Sequence, residues 1–108
     1  MPSNVISPFQ QDPQTTLESL VRAIDFTNVL SSGDSIVGTP TVTASWYGGI
    51  QDSNPSTILV GSPTISGTQV LQRIHGGIPG AVYLLSFVVN TAQGNIFEGQ
   101  VFFTVIQG

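Results

Sequence analysis

Cysteine is missing from this 108-residue chain, and so is lysine. Without thiols there can be no disulfide, thiolate metal site or cysteine nucleophile, so the core has to hold by packing alone, in a chain that a reducing compartment would suit. The basic side chains are Arg22 and Arg73, against six carboxylates and a formal net charge of −4. A phosphate-neutralising surface needs several cations per site, which excludes electrostatic binding of nucleic acid. Charged residues make up 7% of the chain, where ordinary domains carry about 25%; much of the surface is therefore neutral polar or covered by neighbours. No run of about 18 apolar residues occurs, and Met1 to Gln11 lacks a basic start followed by an apolar stretch, so neither a membrane span nor a signal peptide is expected.

What is present suits strands and turns. Gly, Thr, Ser, Val and Ile abound while helix formers are scarce. A chain of this length holds one core and buries roughly two thirds of the surface its unfolded form exposes. Residues 1–19 read as an arm: the first fourteen hold three prolines and several Asn, Gln and Ser, with no periodicity with which to order themselves. Asp12-Pro13 suits a helix start and Leu17, Leu20, Val21 and Ile24 fall at helical spacing, yet Leu20, Ile24 and Phe26 also alternate as a strand would, with Arg22 as the exception. A turn or helical turn up to Ser19 and then a strand to Phe26 are therefore expected. Turn clusters at Ser31–Asp34 and Asp52–Pro55, with breaks at Gly38, Pro40, Gly61–Pro63 and Gly67, separate short β-prone runs.

The last third predicts a hairpin of two long strands, Ala81 to Ala92 and Ile96 to Ile106, joined at Gln93-Gly94-Asn95. Tyr83, Leu85, Phe87 and Val89 share one face of the first, and Phe97, Val101, Phe103 and Val105 one face of the second. About seven strands with turns every 8 to 12 residues is the signature of an all-β, immunoglobulin-like antiparallel sandwich over residues 20–108. On the opposite face of the hairpin, Val82, Leu84, Val88, Ile96, Phe102 and Ile106 stand where a solvated sheet would carry polar residues. A segment of the same chain covering them, another subunit packing there, and scattered apolar surface are the three readings open. Phe9 offers an apolar contact on the arm.

Catalytic chemistry finds little to work with. His75 precedes Gly76-Gly77 in a loop, no Gly-x-Ser-x-Gly elbow is present, and the carboxylates of Asp25, Asp34, Asp52 and Glu98 are scattered singly. No catalytic residue, cofactor or metal is assigned. Gly76, Gly77 and Gly80 read as glycines of a strand connection. Trp46 reads as a core tryptophan of a central strand, or, with Tyr47, as an aromatic ledge for a sugar or peptide.

Several short motifs carry a resemblance: Asp12-Pro13 leading to Ile24-Asp25-Phe26, Gly33-Asp34-Ser35-Ile36, Asn54-Pro55-Ser56 before Gly61 to Gly67, Gly76-Gly77-Ile78-Pro79-Gly80 with Tyr83, and Thr91 to Asn95. The chain resembles small structural proteins of tailed bacteriophages, the fiber-tail adaptor-like family. The resemblance implies an immunoglobulin-like domain repeated in a ring or lattice of the virion, assembled in the host cytoplasm. Its partners would be other virion proteins and copies of itself, in place of nucleic acid or membrane. It also implies a structural corner at Tyr83, whose hydroxyl bonds nearby backbone. The alternative is a carbohydrate- or host-surface-binding module using the loops around Trp46, Tyr47 and Asp52 to Asn54.

Overall fold

A computed structural model describes residues 5–11, 13–15 and 18–106, and for residues 5–9 and 14 the backbone alone. The strands are β1 (Val5–Gln10), β2 (Gln14–Thr15), β3 (Ser19–Asp25), β4 (Ile36–Gly49), β5 (Leu59–Ser66), β6 (Gln69–His75), β7 (Ala81–Thr91) and β8 (Ile96–Ile106), with a 3-10 turn at Pro55–Ile58. Among the described residues no helix is long and apolar enough to cross a membrane.

Two sheets face each other. The larger runs β1-β8-β7-β4, with β2 also on β8, and the smaller β3-β6-β5. Counted from β3 onward, these are the B-E-D and C-F-G sets that an immunoglobulin-like sandwich requires. In the described part of the arm, β1 and β2 lie parallel to β8 on its side away from β7. Between them the Gln11 amide donates to the Phe102 carbonyl of β8, while its side chain reaches the smaller sheet and donates to the Ala23 carbonyl at 3.1 Å.

The predicted hairpin is present, with β7 alternating buried and half-buried from Ala81 to Val89. Its inward stripe of Tyr83, Leu85, Phe87 and Val89, with Val101, Phe103 and Val105 of β8, meets Ile24, Val70 and Ile74 of the smaller sheet. The closest approach is at Gly99. A methyl group there would stand 2.3 Å from Ile24 Cδ1 and 3.3 Å from Phe26 Cζ, so the missing side chain is what lets these two residues reach the larger sheet. The break at Gly38 and Pro40 becomes a register shift within β4, and β4 is an edge strand, as a proline-bearing run should be.

Besides Thr91, two polar side chains are buried among the described residues. Arg22, the exception to the alternation of β3, points inward between Leu20 and Ile24 and is 6% exposed. Its guanidinium lies over the Phe103 ring, 4.3 Å from the centroid, so the cation meets the negative face of the ring. Opposite it in register is Gln72, whose amide donates to the carbonyls of Arg73 (2.9 Å), Val60 (3.1 Å) and Gly61 (3.2 Å). The last two belong to the irregular stretch of β5 between Val60 and Thr64, where ladder pairing lapses. A buried side chain thus satisfies carbonyls that the sheet leaves open.

Gly99→Ala is expected to lower stability by about 1–3 kcal/mol, because Ile24 and Phe26 have no room into which to retreat. Urea unfolding should show a lower midpoint at unchanged slope, whereas a wild-type midpoint would mean that the sheets are not in contact at this position.

Candidate interaction surface

The β7–β8 register decides which residues share the outer face. Leu84 stands opposite Phe102, Ser86 opposite Gln100, and Val88 opposite Glu98. The outer face is therefore not apolar throughout, contrary to the reading from its Val, Leu, Ile and Phe residues alone. Ser86 donates to Glu98, and with Gln100 and Thr43 these residues form a polar middle. The six apolar positions fall into two groups. Val88 and the 59% exposed Ile96 lie toward the hairpin turn, and Val82, Leu84, Phe102 and the 46% exposed Ile106 toward the other end. The side chain of Phe9, the seventh position, lies outside the described residues.

The second group is larger than its β7 and β8 members. The register of β4 shifts between Trp46, opposite Tyr83, and Gly48, opposite Val82, so Tyr47 is the extra residue of a bulge. Its ring tilts against Phe102 at 5.1 Å between centroids and stays 50% exposed. Tyr47 is the member that reading strand by strand misses. The signal for it is the pair Gly48-Gly49, which permits the bulge and leaves no side chain to compete.

Trp46 requires a correction. It was expected in the core of a central strand, yet it lies on the edge strand β4 and is 44% exposed. Its register with Tyr83 turns it to the inner side, yet it remains open to solvent. Trp46 and Tyr47 consequently point to opposite sides of the sheet, and no shared aromatic ledge forms.

The glycine-rich loop before β7 is built around Tyr83. This ring is fully buried; its hydroxyl accepts from the Ile78 amide (2.8 Å) and donates to Asp52 Oδ2 (2.7 Å). Gly77, at φ +104°, sits on the ring so closely that a methyl group would lie 3.0 Å from Tyr83 Cε2 and 2.9 Å from Val105 Cγ2. Gly80 packs against Ile50, and its amide donates to the Val105 carbonyl at 2.8 Å. Gly76 adopts φ +78°, a backbone conformation that glycine takes without strain. Burial pushes the Tyr83 phenol up to about 12, and the carboxylate of Asp52 adds to the effect by accepting its proton.

The remaining carboxylates among the described residues are also engaged within the chain. Desolvation raises the Asp34 carboxyl, but bonds from Thr91 and from the amides of Gln93 and Ser35 outweigh it and hold the group below its usual range. Asp25 is held low by the hydroxyl and amide of Thr27 and by Thr68. His75, exposed, meets the Glu18 carbonyl through Nδ1 at 2.9 Å. Among the described residues no group of three or more His, Asp or Glu is placed to hold a metal ion.

Because the fold holds the neutral phenol of Tyr83, the stability it supplies is complete below pH 10, the ordinary tyrosine value, and is lost as pH rises through about 12. Absorbance titration should show one tyrosine ionising near pH 12, together with unfolding, and Tyr83→Phe should remove that step. The same variant should be about 1–3 kcal/mol less stable at neutral pH, since Asp52 and the Ile78 amide lose their shared partner.

No curated protein matches the chain at a significant level. A family profile described as "Podophage GP4 fiber-tail adaptor protein gp77" matches residues 11–104, a span that takes in every strand from β2 to β7 and most of β8. With the match extending over both sheets and the Tyr83 corner, the chain belongs to this family of phage fiber-tail adaptor proteins.

Proposed function

We propose that this protein is a non-enzymatic virion component, an immunoglobulin-like domain with an arm over residues 1–19, that joins other virion proteins through the outer face of its hairpin. The observation that carries the proposal is the cluster of Tyr47, Val82, Leu84, Phe102 and Ile106, an uncharged, half-exposed apolar surface with two aromatic rings in contact. Interface centres are depleted in charge and enriched in aromatic residues, and hot spots are dominated by such rings. Membership of the fiber-tail adaptor family favours a site at the junction of tail and fiber over a neck position or capsid decoration. Copies of the chain repeated around the tail would present the cluster at regular intervals, as a closed ring of identical subunits does. The second group, Val88 and Ile96, is separated from the first by the Ser86–Glu98 bond and takes no central part. Assembly would take place in the host cytoplasm, with neither nucleic acid nor membrane as partner.

Leu84→Lys combined with Phe102→Lys should leave the circular-dichroism spectrum of the domain unchanged, since both residues lie on the outer face, and should abolish co-sedimentation with purified tails. Val88→Lys with Ile96→Lys, at the other end, should leave binding within about twofold, as rim substitutions do. Full binding by the first variant would remove this surface as the contact.

A further inference from the structure

The two edges of the larger sheet are treated differently. β8 is lined by β1 and β2 of the same chain, whereas β4 is bonded to β7 on one side and, among the described residues, pairs with no strand on the other. Soluble proteins blunt such edges with charge, proline or bulges. β4 has no charged residue from Ile36 to Gly49. Its irregularities lie between Val37 and Thr41, around Gly38 and Pro40, and between Trp46 and Gly48. Between them Thr41–Trp46 is a regular run in unbroken register on β7. Within it Val42, Ala44 and Trp46 share the side of the inner residues Phe87, Leu85 and Tyr83, and Thr41, Thr43 and Ser45 face outward.

We propose that Thr41–Trp46 is a strand-docking edge whose occupant is the same run of a second copy, antiparallel across a two-fold axis normal to the sheet. This uses a different surface from the hairpin face and rests on the assembly reading for its purpose alone. Such an axis sets inner-facing residues opposite inner-facing ones, so it passes through either Thr43 or Ala44. Centred on Thr43, the pairing would set Trp46 against Pro40, which has no amide to give and lies in the irregular stretch. Centred on Ala44, it sets Trp46 beside Val42 of the second copy and Thr43 beside its Ser45. The first is an aromatic–β-branched pair that covers the indole surface one chain leaves open, and the second a pair of small hydroxyl residues. No charge opposes charge along the contact, although each copy carries −4.

Trp46 is the single tryptophan of the chain, so its emission reports on this edge alone. Sedimentation equilibrium from about 1 µM to about 1 mM, the range in which small interfaces associate, should give a monomer–dimer equilibrium. The emission should shift to shorter wavelength in step with the dimer fraction. Thr43→Lys with Ser45→Lys places lysines opposite each other in both halves of the contact and should weaken dimerisation by about tenfold, with circular dichroism confirming the fold. Thr43→Lys with Ser45→Glu pairs opposite charges in the same register and should dimerise as the wild type does. A wild type that stays monomeric throughout, a dimer without the emission shift, or dimerisation indifferent to the two lysines would each overturn the inference. A wild-type monomer that still co-sediments with tails would overturn it while leaving the assembly reading intact, and a wild-type dimer that fails to co-sediment with tails would do the reverse.

Discussion

Nine consecutive residue pairs, from Val82–Thr104 to Asn90–Ile96, hold β7 against β8, and each other strand of the larger sheet is bonded to one of these two. The smaller sheet packs on the inward stripe that the same register creates. A slip of β7 by one residue would turn Tyr83, Leu85 and Phe87 to the outside and bring Ser86 into the core. The chain guards this register from both ends with residues far away in sequence. At the turn, Asp34 accepts from the Gln93 amide at 3.0 Å, and the Ala92 amide donates to the Ser35 carbonyl at 2.9 Å. At the open end, the Tyr83 hydroxyl ties the β6–β7 loop to Asp52, and the Gly80 amide donates to Val105.

These clamps also account for where the few charges go. Every carboxylate among the described residues accepts a hydrogen bond within the chain: Glu18 from the Thr15 amide, Asp25 from Thr27, Asp34 from Gln93, Asp52 from Tyr83 and Glu98 from Ser86. Of the two arginines, Arg22 is buried over Phe103 and Arg73 reaches Ser19. The charges therefore shape loops and core instead of forming a solvated shell. Low charge density, which in the sequence is a bare composition, becomes in the structure an outer face and an edge with little to repel an apolar partner.

Much of this was legible from period-two alternation. The hairpin, its inward stripe and the turn at Gln93 to Asn95 follow from residue pattern alone, because both strands are long and one face of each is apolar without interruption. The division of the outer face was equally available, since Ser86, Glu98 and Gln100 alternate with the same apolar residues; attention to the apolar ones concealed it. Trp46 and Tyr47 could not be placed from pattern. A bulge shifts the register by one residue and hence exchanges faces, and only the pairing with Tyr83 and Val82 reveals on which side of the bulge each ring falls. Arg22 was opaque for a different reason: a buried guanidinium needs a ring opposite it, and Phe103 is supplied by the other sheet. The role of Gly99 was hidden likewise, being defined by the reach of Ile24 and Phe26 across the core.

The positions that hold the fold and those open to a partner are spatially separate. Tyr83, Gly77, Gly99, Arg22 and Gln72 lie in the core or at its loops, and each is fitted by close contact or several bonds. Tyr47, Phe102 and Trp46, by contrast, are large and partly exposed, and their side chains make no polar bond among the described residues. In a single-core domain of this size, stability is a small difference between large terms, so an interface built from core residues could not vary without threatening the fold. A contact on the outer side of the best-clamped strands, or on a strand edge bounded by bulges, as proposed above, could change while the β7–β8 register stays as it is.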